Sequence, residues 1–248
     1  MVDEILLRKI FSAHSKTPKE ALYLESGNVP IRFILMARRV NFLHYIMNEE
    51  ESSLMKTFFN AQVESPVKGD WVLTVERDLK ELQINQSFVE IGQTSKIKLK
   101  NILREKVKTN AFNYLSELKQ THSKVRNIKH SELKLQPFLT SKHSEMTIKE
   151  KQFAVAARTR MLELKANFKV GAADTKCRRC EGEEETQEHL LHCPAISDFS
   201  PVQGVPQYSD IFEENSTKIA TISRILSDKH KIFLKPSAPV LSAAAAIM

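Results

Sequence analysis

The stretch CRRCEGEEETQEHLLHCP, residues 177–194, contains every cysteine of this 248-residue chain. Its candidate ligands are Cys177, Cys180, His189 and Cys193, in the spacing C-x2-C-x8-H-x3-C. Thiolates and imidazoles are the usual ligands of tetrahedral zinc, and three cysteines with one histidine form a standard structural set. One helical turn places His189 and Cys193 on the same face. The stretch therefore predicts one structural zinc ion held by four protein ligands.

Other interpretations of these residues stay open at this point. The three thiols can be free and buried by chance, or two can form a disulfide and leave one free. The odd number of cysteines and the absence of a signal sequence argue against a secreted disulfide framework. His192 can replace His189 as a ligand, but it is adjacent to Cys193. Neighbouring residues on a helix point about 100° apart, which favours His189.

Composition favours a helical protein in a reducing compartment. The chain has only six glycines, and long stretches lack both glycine and proline, as expected for helices rather than a turn-rich β architecture. Acidic residues near the start are not typical of a signal peptide, and no run of 18 apolar residues predicts a membrane span. We expect an intracellular protein of the nucleus or cytoplasm, without membrane association.

Helix start and stop signals divide the chain into four segments and predict a mostly α fold. Thr17, Ser53 and Asp70 stand where helix caps are expected. The expected fold is a helical array followed by a small Cys3His zinc-knuckle module and a weakly ordered C-terminal tail. The first segment, 1–93, is a helical bundle region. The second, 94–170, contains a long basic helix (94–120), a connector (121–144) and a further helix (146–167). The third, 171–196, is the zinc-binding module, and the fourth, 197–248, contains a linker, a short helix (216–233) and a frayed tail.

Basic charge is concentrated in one part of the chain. Residues 94–134 hold 11 basic and 3 acidic side chains, whereas 1–93 hold 11 and 13, and 135–248 hold 15 and 14. Focused positive charge is typical of proteins that bind polyanions, although a charged row can also be only a solvated helix face. We expect contacts with RNA or DNA from a row spaced four residues apart on the long helix and from arginines further on. These residues are Lys96, Lys100, Arg104, Lys108, Arg158, Arg160, Arg178 and Arg179.

Three stretches of the chain resemble the region after the polymerase core of non-long-terminal-repeat retrotransposon reverse transcriptases. The 177–194 stretch is similar to that family's C-terminal zinc-binding motif, in which a C-x2-C pair is followed by E-T-x-x-H-L-x-x-C. Upstream, ALYLESGNVPIRFILMARRVNFLHYI (21–46) and AQVESPVKGDW (61–71) are similar to the helical blocks between polymerase and zinc motif. The resemblance covers about residues 5–195. The resemblance implies that this chain is a helical linker plus zinc knuckle that helps to bind RNA or DNA.

The catalytic part of that family is missing from this sequence. The polymerase core carries paired aspartates for two metal ions, and this chain contains no Asp-Asp pair. No glycine-rich phosphate loop, G-x-S-x-G elbow or H-E-x-x-H helix occurs either. We therefore expect a non-enzymatic, retroelement-derived nucleic-acid-binding fragment. One alternative is a helical protein-interaction scaffold whose fold is stabilised by zinc. Another is a piece of a polymerase that is active only when joined to the rest of that polymerase.

Overall fold

Helices account for nearly all regular structure in the computed structural model, which describes residues 2–140, 146–168, 174–199 and 207–234. These residues form ten α-helices, and their one β feature is an isolated antiparallel bridge between Lys176 and Glu184. The prediction of a mostly α fold with a Cys3His module is confirmed. The predicted frayed tail beyond 234 lies outside the described residues. No helix in the described ranges combines the length and the hydropathy needed to cross a bilayer.

The chain divides into two units. Unit 1 comprises the described residues of Met1–Ile10, Thr17–Arg126 and His130–Gln136, and unit 2 those of Phe11–Lys16, Asn127–Lys129 and Pro137–Met248. The helices of unit 1 are α1 (Val2–Ile10), α2 (Lys19–Ser26), α3 (Ile31–Met47), α4 (Leu54–Glu64), α5 (Trp71–Glu81), α6 (Phe88–Gln93) and α7 (Lys96–Gln120). Those of unit 2 are α8 (Ile148–Arg158), α9 (Gln187–His192) and α10 (Ser216–Leu234), with short 3-10 turns at Pro137–Leu139, Lys165–Phe168, Pro194–Phe199 and Tyr208–Phe212.

Local capping residues fix several helix boundaries in unit 1. The Ser53 hydroxyl accepts a hydrogen bond from the backbone N–H of Lys56 at the start of α4. Gly27 ends α2 in a left-handed conformation with φ of 66°. The prediction that Thr17 caps α2 is wrong, because Pro18 occupies the cap position and the buried Thr17 hydroxyl has no hydrogen-bond partner among the described residues. Caps were therefore predictable at serine, but not at Thr17.

Helix α6 was not predicted, although the sequence contains a signal for it. The side chain of Ser87 accepts from the backbone of Glu90, and the Glu90 carboxylate accepts in return from the backbone of Ser87. This reciprocal pair is a capping box. Helix α6 packs on α3, where a Cβ at Gly92 would lie only 2.7 Å from the Cβ of Met47. Glycine at this position permits the close approach of the two helices.

The long helix α7 buries most of the apolar stripe that its sequence predicts, which comprises Leu99, Leu103, Val107, Ala111, Tyr114 and Leu118. Four of the predicted residues are buried: Leu99, Leu103, Val107 and Ala111. Further along, Leu115 is buried, whereas the predicted Tyr114 and Leu118 are only half-buried. The buried residues keep the four-residue spacing through Leu115, whereas the predicted stripe takes a three-residue step from Ala111 to Tyr114 and so leaves the buried face.

Helix α8 is shorter than predicted. It ends at Arg158 rather than near 167, because the next residues leave the helical conformation. The Thr159 hydroxyl donates to the carbonyl of Val155, and Arg160 has a φ of 54°. At the other end, the apolar pattern of the sequence places Ile148 on the buried face of the helix, but in the structure Ile148 is 75% exposed.

Helix α10 packs against α8 and α9 within unit 2. Its inward-facing residues include Ile219, Ile222, Leu226 and Phe233. The cysteine-rich stretch and α9 belong to the same unit, so the candidate metal ligands lie in a fold that includes the last described helix.

Candidate metal centre and basic helix

A short hairpin presents the first two cysteines. The backbone N–H of Cys177 donates to the carbonyl of Glu183 at 2.7 Å, and the N–H of Glu181 donates to the carbonyl of Cys177 at 2.8 Å. The left-handed Glu181 (φ of 56°) reverses the chain between these bonds. At the tip, the N–H of Arg179 points at Cys177 Sγ from 3.4 Å. Such N–H groups favour the thiolate, the form of cysteine that binds metal.

Helix α9 presents the other two candidate ligands. Thr186 caps it, and its hydroxyl accepts from the backbone N–H of His189 at 3.0 Å. Cys193 follows as the C-cap residue, one turn after His189. The sequence predicted both the helix and this shared face.

The four side chains converge on one point. Their ligand atoms all lie within 4.8 Å of one another. Cys177 Sγ and Cys193 Sγ are 3.8 Å apart, and Cys180 Sγ is 3.3 Å from His189 Nε2. A tetrahedral ion with Zn–S bonds of about 2.3 Å holds two sulfurs about 3.8 Å apart. All three cysteines are free thiols, so the disulfide alternative does not hold. The four residues can therefore hold a metal ion.

The histidine has an oriented imidazole ring. Its Nδ1 lies 3.0 Å from a carboxylate oxygen of Glu183, while Nε2 faces the sulfur of Cys180. Carboxylates commonly accept from the distal nitrogen of a metal-binding histidine, which fixes the tautomer and the ring orientation. The exposed His192 is not part of the cluster. Sequence reasoning did not identify Glu183, because nothing distinguishes it within the acidic run.

The two ends of the cluster differ in electrostatic environment. Backbone N–H groups of Gly182 and Glu183 lower the pKa of Cys180 to about 6. Burial raises the pKa of Cys193 to about 12. A thiol as buried as Cys193 needs a nearby positive charge to become a thiolate, and a bound divalent cation supplies one.

Arg178 and Arg179 bind to other parts of unit 2. Arg178 makes two hydrogen bonds to the carboxylate of Glu185, at 2.7 and 3.0 Å, and lies over the ring of Phe233. Arg179 donates to the carbonyls of Ile232 and Phe233 near the end of α10. Both arginines thus connect the hairpin to its own unit.

Arg158 does not lie on the exposed basic side that the sequence predicts. It is fully buried, and its guanidinium donates to the carbonyls of Ile211 and Glu213. Arg160 is half-buried and forms an ion pair with Glu188 at 2.7 Å. Burial removes Arg158 from any phosphate-binding surface, and the three other arginines of this set already have partners.

The four residues of the basic row predicted on α7 remain accessible. Lys96, Lys100, Arg104 and Lys108 are all exposed. In the ranges that the structure describes, none of them forms an ion pair, although the charge of Lys108 acts weakly on Glu132. We call these four residues the basic ridge. It belongs to unit 1, whereas the Cys3His cluster belongs to unit 2.

The fold and the cluster define a mostly helical protein with one candidate Cys3His metal centre. Comparisons with protein-family models, with curated proteins and with solved structures each give no match.

Proposed function

We propose that this protein is a non-enzymatic nucleic-acid-binding module whose second unit is stabilised by one zinc ion. RNA or DNA phosphates are the proposed ligands of the basic ridge. The observation that supports this most directly is the row of four exposed cations on one helix without ion-pair partners in the described residues. Each cation that neutralises a phosphate releases condensed counterions, which favours binding.

Zinc is the metal that fits the cluster best. Three sulfurs and one imidazole nitrogen form a soft, nitrogen-containing set that suits tetrahedral zinc and disfavours magnesium or calcium, which prefer oxygen. Four protein ligands leave no open position for water, so the role we propose for the ion is structural. The three free thiols are suited to the reducing nucleus or cytoplasm.

A retroelement origin is part of this proposal. It rests on the sequence blocks at 21–46, 61–71 and 177–194, and the comparisons add nothing to it. The family's DNA-synthesising activity is not proposed for this chain, because the paired aspartates of the polymerase core are absent from the sequence.

The test is the salt dependence of binding to labelled single-stranded RNA and to duplex DNA of equal length. The ridge variant replaces Lys96, Lys100, Arg104 and Lys108 with glutamine. We expect it to bind more weakly and to make the slope of log affinity against log salt shallower by about 3 on single strands.

A matched control replaces the same number of exposed cations elsewhere in unit 1: Lys9, Lys68, Arg77 and Lys80, again with glutamine. This control has the same net charge and the same residue types as the ridge variant. Equal loss of binding in both variants means that only overall charge matters and contradicts a specific role of the ridge.

A protein-interaction scaffold is the second candidate. The exposed apolar side chains of Leu54 and Phe58 on α4 favour it. Absence of any salt-dependent nucleic-acid binding by the wild-type chain, together with one bound zinc, would support the scaffold over the proposed function.

A further inference from the structure

Helix α3 carries an apolar face on its solvent side. Its buried residues, among them Val40 and Leu43, lie on the side that packs against α5, α6 and α7. Five other residues follow one another at steps of four and three, which keeps them on one side of the helix. All five are exposed: Ile31, Leu35, Arg38, Phe42 and Tyr45. Together with Glu49, in the turn after the helix, we call these residues the α3 face.

Two aromatic rings occupy the middle of the α3 face. Phe42 is 44% exposed and Tyr45 is 51% exposed. Their rings are nearly parallel, with centroids 6.1 Å apart and an angle of 16° between the planes. Phe42 also makes an edge-to-face contact with Trp71 of α5, with centroids 5.6 Å apart. Because these contacts already order Phe42, a partner that covers it meets a smaller entropic cost. Exposed aromatic clusters of this kind are typical of protein-binding surfaces.

Opposite charges flank the two rings. Arg38 lies four residues before Phe42, and Glu49 lies four residues after Tyr45. The Tyr45 hydroxyl donates to the Glu49 carboxylate, which raises the pKa of Tyr45 and places Glu49 beside the ring. The two other arginines of α3 are paired with carboxylates of α5. Arg38 forms no ion pair in the part of the chain that the structure describes, so its charge is available to a partner.

The order of these four residues is self-complementary. The steps from Arg38 to Phe42, Tyr45 and Glu49 are four, three and four residues, the same in both directions. A second copy that runs antiparallel, with a twofold axis between positions 43 and 44, therefore brings each Arg38 opposite the partner's Glu49. It also brings each Phe42 opposite the partner's Tyr45. Each contact then occurs twice, as in the isologous interfaces of symmetric dimers.

We propose that the α3 face is the interface of a homodimer in which two copies of this chain pair their α3 helices antiparallel. The inference does not depend on the proposed zinc site or on nucleic-acid binding. A nucleic acid is a poorer occupant, because Glu49, Glu50 and Glu51 follow one another at the end of the face and repel phosphates. A face of six residues makes a small interface, so we expect a reversible dimer.

The test uses charge reversal in the full chain under reducing conditions. Light scattering after gel filtration and sedimentation equilibrium measure the molar mass from micromolar to submillimolar concentrations. Wild type is expected to change from monomer to dimer over this range. Arg38→Glu alone and Glu49→Arg alone each turn two attractive pairs into two repulsive pairs. Each is therefore expected to raise the dimer dissociation constant by about tenfold or more.

Combining the two reversals is expected to restore the pairing. An equimolar mixture of Arg38→Glu chains and Glu49→Arg chains forms a heterodimer at concentrations where neither variant dimerises alone, because all its charge pairs are attractive. The double variant dimerises like wild type for the same reason. Two matched controls reverse exposed charges elsewhere in unit 1: Arg77→Glu on α5 and Glu64→Arg on α4. Both controls are expected to leave the dissociation constant unchanged.

Tyr45→Ala tests the aromatic contact. Because Tyr45 is exposed, unit 1 is expected to keep its fold, which circular dichroism checks. The dissociation constant is expected to rise by about tenfold or more, as for other aromatic residues at the centre of an interface. A Tyr45→Ala chain that dimerises like wild type counts against the inference.

A wild-type chain that stays monomeric at all these concentrations overturns the inference. So does a dimer that the single charge reversals weaken no more than the controls do, because its interface then lies elsewhere. If the wild-type chain is monomeric and Tyr45→Ala loses binding to single-stranded RNA, the α3 face binds nucleobases instead of a second copy.

Discussion

The guanidinium of Arg158 donates a hydrogen bond to the backbone carbonyl of Glu213 across 2.9 Å, although 55 residues separate the two in the chain. A second donation reaches the carbonyl of Ile211, and the guanidinium lies over the ring of Phe138. One buried cation therefore connects the end of α8 with two other segments of unit 2.

Replacing Arg158 with alanine is expected to lower the free energy of unfolding by about 3 kcal/mol or more, because buried carbonyls lose their donors and a cavity forms. Arg160→Ala is the control, since this half-buried ion pair contributes only about 1 kcal/mol or less. Urea denaturation of the zinc-loaded proteins measures both. Similar values for the two variants would contradict the structural role of Arg158.

The two neighbouring histidines of α9 provide a paired test of the metal site. His189→Ala is expected to abolish stoichiometric zinc binding and to lower the stability of unit 2, because one of four ligands is lost. His192→Ala is expected to keep one zinc per chain, since His192 is exposed and outside the cluster. Metal analysis after gel filtration reads out both variants. Loss of zinc from the His192 variant alone would reverse the ligand assignment.

Acid sensitivity of unit 1 is expected to depend on Asp3. The hydroxyl of Tyr23 donates to the Asp3 carboxylate at 2.5 Å, and this bond lowers the pKa of Asp3 from 3.8 to about 2. Because the folded pKa is the lower one, the ionised carboxylate contributes stability above about pH 4, and this contribution is lost as the pH falls toward 2.

Asp3→Asn removes that contribution. The wild-type protein is expected to be more stable than the variant at pH 5, with the difference shrinking as the pH approaches 2. Thermal unfolding between pH 5 and pH 2 measures it, with Glu64→Gln on the exposed side of α4 as the control. A difference between wild type and Asp3→Asn that stays constant over this range would rule out the linkage.

Features determined by nearby residues were predictable from the sequence. Ser53 and Ser95 mark helix starts that the sequence indicates to within about two residues. The spacing of the four metal ligands follows from one tight turn and one helical turn, so they too could be identified. Helix α6 was missed although its signal, the Ser87–Glu90 capping box, is equally local.

Features determined by distant partners were not predictable. Arg158 and Lys229 look like solvated charges in the sequence, yet each is buried because its acceptor carbonyl comes from a segment 38 or more residues away. Arg179 likewise depends on carbonyls of α10, more than 50 residues later. Of the eight residues predicted to contact nucleic acid, the four on α7 alone are exposed and without an ion pair in the described ranges, because their spacing along one helix places them on the surface.

The contacts of Arg179 with Ile232 and Phe233 determine how long a fragment around the cysteines must be to keep the packing of the hairpin. A synthetic peptide of residues 174–196 would carry all four ligands but would lose the carbonyls that hold Arg179. Retaining these contacts requires a fragment that continues through α10 to Leu234. Its boundary therefore lies about forty residues beyond the last ligand, Cys193.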